Sequence, residues 1–132
     1  MAVRAPQPEP DEIEPIVWPD LTALDLDRVT VSYDAEIDYL YVHLYGRPLP
    51  AVWDPREGGA WLGLRLEAGD ETTGEVVGVM VEHFRVRAMH EHPSWRGLIE
   101  LSGVASHAAP SLPDRRAVLA QFLDEVMALR AA

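Results

Sequence analysis

The sequence predicts an α+β domain: a four-stranded antiparallel meander followed by two or three C-terminal helices. Two observations carry this. Four apolar runs between residues 29 and 84 alternate with a period near two and are separated by glycine-rich or acidic turns, and the last twenty residues switch to a helical period. A chain of 132 residues with 48% hydrophobic content is long enough for one core and short for two, so residues 16–132 are read as a single domain.

Residues 1–15 stand apart. "APQPEPDEIEP" interleaves prolines with acids, removing backbone donors and offering little apolar surface, and is expected to be a disordered acidic arm. Residues 1–27 hold seven acids and one arginine, a net of −6, which leaves −5 for the other 105 residues. "IVWPDL" differs from the arm because Ile16, Val17, Trp18 and Leu21 gain by burial. It is expected to lie along the domain or a partner, with Asp20 capping a short turn.

The first strand is predicted at Val29, Val31 and Tyr33, alternating with Thr30, Ser32 and Asp34. The second places Leu40, Val42 and Leu44 on one face and Tyr39, Tyr41, His43 and Tyr45 on the other. "GRPLPAVWDPREGGA" holds three prolines and three glycines and reads as a loop or irregular edge. In "WLGLRLEA" the leucines alternate with Trp61, Gly63 and Arg65, and "VVGVMVEHF" supplies the fourth strand. "FRVRAMHEH" is either the end of that strand or a helix stopped by Pro93. Ser94 is placed to cap a short helix through Ile99 and Leu101. The final helix is predicted from a Ser111/Asp114 capping box, Pro113 in the first turn, and a stripe of Val118, Leu119, Phe122, Leu123, Val126 and Leu129.

Composition excludes several functions. With no cysteine there are no disulfides, thiol nucleophiles or thiolate metal sites, in keeping with a cytoplasmic protein. No apolar run reaches membrane-spanning length and no leader pattern opens the chain, so no membrane partner is expected. The net charge of −11, with no lysine, sets a field that repels phosphate backbones; direct nucleic-acid binding is not expected, whereas a basic protein would be attracted.

Tyr33, Asp34, Asp38, Leu40, Tyr41 and Val42, followed by Gly74, Glu75, Val76, Val77 and Gly78, resemble the small uncharacterised family called domain of unknown function 2283 over residues 29–84. The resemblance brings a strand-and-turn pattern and no activity. The acidic arm, the 46–60 loop and the C-terminal helices depart from the shorter family pattern.

Candidate chemistry is sparse. Asp34, Glu36 and Asp38 have the one-three-five spacing of a calcium loop, but Tyr39 stands where the sixth-position glycine belongs and Tyr45 where the twelfth-position glutamate does. The competing reading gives Asp34 and Asp38, with Gly74 and Gly78, structural turn roles, the two carboxylates bonding local amides to close a hairpin. His83, His90 and His92 are weak metal candidates because His-x-His aligns both rings only on an extended chain; no metal or other cofactor is expected otherwise. Ser102, Ser106 and His107 lack a nucleophile elbow, and the glycines do not form a phosphate loop.

Three functional classes follow. The first is a non-enzymatic protein-interaction module, a homodimer, with an antitoxin-like partnership with a basic protein as one version. The second is a small-molecule binder using the aromatic face of Tyr39, Tyr41, His43, Tyr45, Trp61 and Arg65. The third is a metal-dependent enzyme built on His83, His90 and His92.

Overall fold

The computed structural model describes residues 16–67, 72–103 and 114–131. Among these residues five strands form one antiparallel sheet: β1 Thr30–Asp34, β2 Tyr39–His43, β3 Ala51–Pro55, β4 Ala60–Leu66 and β5 Thr72–Val81. Their spatial order is β1-β2-β5-β4-β3, which corrects both the expected number of strands and the simple meander. Three α-helices follow among the described residues, Met89–Glu91, Gly97–Leu101 and Arg115–Met127.

The corrections have physical causes. "VVGVMV" is apolar at nearly every position, so it gains most from burial on both faces, and β5 accordingly runs through the middle with β2 on one side and β4 on the other. The fifth strand comes from the proline-rich stretch expected to be a loop or an irregular edge, and it forms the edge. Pro50 precedes it and Pro55 ends it, and a strand short of donors is tolerated at an edge, where β3 pairs with β4 alone among the described residues. Between β4 and β5 the register moves from Gly63↔Gly78 to Leu64↔Val76, leaving Val77 as an extra residue. This bulge keeps Val79 and Val76 on the same side as Leu62 and Leu64.

That side is the core. Leu40, Val42, Leu44, Leu62, Leu64, Val79 and Val81 pack there against Phe84, Leu98, Leu119, Phe122, Leu123 and Val126. Trp95, not singled out from sequence, is 1% exposed and meets the Phe122 ring edge-on at 4.9 Å. Its Nε1 donates to Glu125 Oε2 at 2.8 Å, and Ser94 Oγ donates to Glu125 Oε1 at 2.9 Å. Ser94 therefore ties a 3-10 turn, Pro93–Arg96, to the terminal helix and caps nothing. The terminal helix starts with Asp114 as its N-cap, accepting from the amides of Arg116 and Ala117; Ser111 and Pro113 lie outside the described residues.

Two segments brace the sheet. Val17 bridges Glu75 in parallel, with Val17 N donating to Gly74 O at 2.8 Å and Val76 N to Val17 O at 2.9 Å, while Ile16, Trp18 and Leu21 pack on the core margin. Asp20 Oδ1 accepts from the Thr22 amide at 3.0 Å, the turn its sequence position anticipates. The expected arm over residues 1–15 lies outside the described residues. "FRVRAMHEH" resolves as helix: one π turn over Phe84–Ala88 runs into Met89–Glu91 and stops before Pro93.

Candidate functional site

The sheet has a second face, and side-chain alternation puts a different chemistry on it. Cross-strand partners share a face, so the register Tyr41↔Met80↔Trp61 sets three large uncharged side chains in one row across β2, β5 and β4. The next row is His43↔Gly78↔Gly63↔Trp53. Along β2, Tyr39 and Tyr41 have ring centroids 6.4 Å apart, and Tyr41 and His43 lie near parallel at 6.3 Å. The ring side chains and Met80 are half-buried, and the two glycines are buried.

Trp53 was hidden within the proline-rich stretch. A Cβ added to Gly63 would fall 3.1 Å from the Trp53 indole, and one added to Gly78 would lie 3.8 Å from it. The indole therefore lies over a floor of two glycines, a place that any larger residue would take from it. The signal was present as Ala51, Trp53 and Pro55 alternating with Val52 and Asp54, but the prolines outweighed it.

The margins of this face are polar and satisfied. Trp61 Nε1 donates to Glu82 Oε1, Tyr45 Oη donates to Glu75 Oε1 at 3.3 Å, and Arg65 stands 3.8 Å from the other oxygen of Glu75. Burial pushes the Tyr41 and Tyr45 phenols up and the His43 imidazole down, each favouring the neutral form. Tyr39, Tyr41, His43, Tyr45, Trp61 and Arg65 thus share one face of the sheet, opposite the helices.

Comparison with family models, with curated proteins and with solved structures finds no match.

Asp34 Oδ1 accepts from the Glu36 amide at 3.0 Å, a local turn. Asp38 does something less local: its carboxylate accepts from the amides of Arg85 and Val86, 47 and 48 residues away, and from Tyr33 Oη. Gly74 takes a left-handed φ of 75° near the start of β5, whereas Gly78 lies inside the strand and not at a turn, its close neighbours being the Val42 carbonyl and Trp53.

The histidines separate. His92 stacks on Trp95 at 3.9 Å and holds Nδ1 3.6 Å from Glu125; His83 sits at the left-handed turn before Phe84, and His90 is exposed. Among the described residues no group of three or more metal-ligating side chains converges. None of their helices is long and apolar enough to cross a membrane.

Proposed function

We propose that this chain is a protein-interaction module that pairs with a second copy of itself through the aromatic face of its sheet. The observation that carries the reading is the uncharged row Tyr41–Met80–Trp61, half-exposed on the side away from the helices. Contiguous aromatic surface of this kind marks interfaces, and tyrosine and tryptophan serve there because each joins a large apolar body to a polar handle.

Charge selects the occupant. Two copies at −11 repel at long range, so they can meet only through a surface without acids at its centre. A basic partner would be drawn instead to carboxylates, and those near this face stand at its margins, with Glu75 and Glu82 already bonded to Tyr45 and Trp61. This favours self-association over the antitoxin-like partnership, with two-fold symmetry as the commonest arrangement. Tyr39, Tyr41, His43, Trp53, Trp61 and Met80 all lie within residues 29–84, the stretch that resembles domain of unknown function 2283, so pairing would be a property of that unit.

Light scattering on the wild type and on Tyr41→Arg tests the reading. The expected result is a wild-type dimer at micromolar concentration and a folded monomer for Tyr41→Arg. A wild-type monomer refutes it.

A further inference from the structure

Beyond the end of β2, two clefts share a wall formed by Arg28 and Tyr45. The first, about 330 Å³, is lined by apolar Pro19, Ala23, Leu24 and Leu44. The second, about 580 Å³, is completed by Thr30, Gly46, Arg47 and Leu49. The acids lining the first cleft are Asp20 and Asp25, and each is engaged in a turn: Asp20 Oδ1 accepts from the Thr22 hydroxyl at 2.7 Å and Asp25 Oδ1 from the Asp27 amide at 3.0 Å. The second cleft has no acid among the described residues that line it, in a chain with 22 acids against 11 arginines.

Two features mark the second cleft as more than a gap between loops. Neither Arg28 nor Arg47 is ion-paired among the described residues, so two arginines line one cleft with no carboxylate bridged to either. Their approach depends on Gly46. Its φ is +83°, and a Cβ there would fall 2.9 Å from the Arg28 carbonyl oxygen, so glycine is what lets the loop carrying Arg47 pass this close to Arg28.

We propose that this double cleft binds an amphipathic organic anion, its carboxylate or phosphate head held by Arg28 and Arg47 and its apolar body lying past Tyr45 on Leu24 and Leu44. Guanidinium forks match planar and tetrahedral oxyanions, and a concave apolar surface with a few convergent polar groups is the ordinary form of a small-molecule site. The global charge works against capture from a distance, so affinity has to come from contact within the cleft. Tyr45 is shared with the aromatic face, but Tyr41, Met80 and Trp61, the row that carries self-association, line neither cleft, so anion binding and pairing are tested separately.

Calorimetric titration of the full chain with octanoate and octyl phosphate, beside octanol and octylammonium, tests it. The two anions should bind saturably at millimolar concentration or below, and the neutral and cationic analogues should not. The stronger of the two anions identifies the head group. Arg47→Gln should weaken anion binding about tenfold, the scale of a lost charge-assisted pair, with Arg47→Lys in between and circular dichroism unchanged. Anions that bind no better than octanol, or equally well to the wild type and to both Arg28→Gln and Arg47→Gln, overturn the proposal.

Discussion

Tyr33 Oη donates to Asp38 Oδ1 at 2.6 Å, and the same carboxylate accepts from Arg85 N at 2.8 Å and Val86 N at 3.2 Å. One side chain thereby joins the β1–β2 hairpin to the first helical turn after β5. The backbone adds to the junction, because Phe84 N donates to Asp38 O at 3.0 Å while Asp38 holds a left-handed φ of 59°. Helical turns begin with unsatisfied amides, and here a carboxylate from another part of the chain satisfies two of them. Burial pushes the Asp38 pKa up, but the bonds from Tyr33, Arg85 and Val86 outweigh it and hold the group below its ordinary 3.8. Tyr33 is pushed up to about 12, by its own burial first and by Asp38 second.

Removing this junction should loosen the hairpin and the helical turn together. Asp38→Ala loses three acceptor bonds and puts alanine in the left-handed region, at a cost of about 2–3 kcal/mol. Tyr33→Phe loses one bond and leaves the amides capped, at about 1 kcal/mol. Asp38→Asn, which tolerates the same φ and keeps one acceptor, should fall between them. Urea denaturation of the three variants checks the order, and equal losses for Asp38→Ala and Tyr33→Phe contradict it.

Much of this architecture was legible because side-chain period is local. The alternations Leu40–Val42–Leu44 and Leu62–Leu64 gave the inner face, and the stripe Leu119–Phe122–Leu123–Val126 gave the helix that covers it. Strand order was not legible, since the pairing of β2 with β5 depends on which strand gains from burial on two faces, a competition among distant segments. Pro50 and Pro55 disguised β3 because proline opposes strands in general and not at sheet edges. The aromatic residues of β2 and Trp61 could be grouped from alternation alone, whereas Trp53 needed the register that sets it over Gly63. The sequence pattern puts Asp38 at a turn, but the local amide bonds expected of it are replaced by bonds from amides 47 and 48 residues away, which no local pattern can show.

The Trp53–Gly63 contact makes a reciprocal prediction. Gly63→Ala places a methyl 3.1 Å from the indole, closer than nearly all such contacts pack, so the ring or the strand must give by a few tenths of an ångström at a cost of about 1–3 kcal/mol. Trp53→Leu removes the obstacle, and the double variant should recover most of the Gly63→Ala loss. A double-mutant cycle by thermal or urea unfolding measures the coupling, expected at about 1 kcal/mol or more. Additive losses would mean that the indole is free to move aside.

Acid should destabilise this protein in two separable steps. Burial lowers the His43 pKa below its ordinary 6.5, so the unfolded chain takes up the proton first as pH falls. The native state then binds fewer protons than the unfolded state, and stability, fully present above about 6.5, declines as pH drops from there through the native His43 pKa. Asp38 acts lower. Its native pKa lies below 3.8, so the stability it contributes is present above that value and is lost as pH falls through the native pKa. Urea midpoints measured from pH 8 to pH 3 should therefore show a first decline below pH 6.5 that His43→Gln flattens, and a second at the acid end that Asp38→Asn reduces. The two substitutions should not exchange effects, because His43 lies on the aromatic face and Asp38 at the turn before β2. A first decline that persists unchanged in His43→Gln would assign it to other groups and remove His43 from this account.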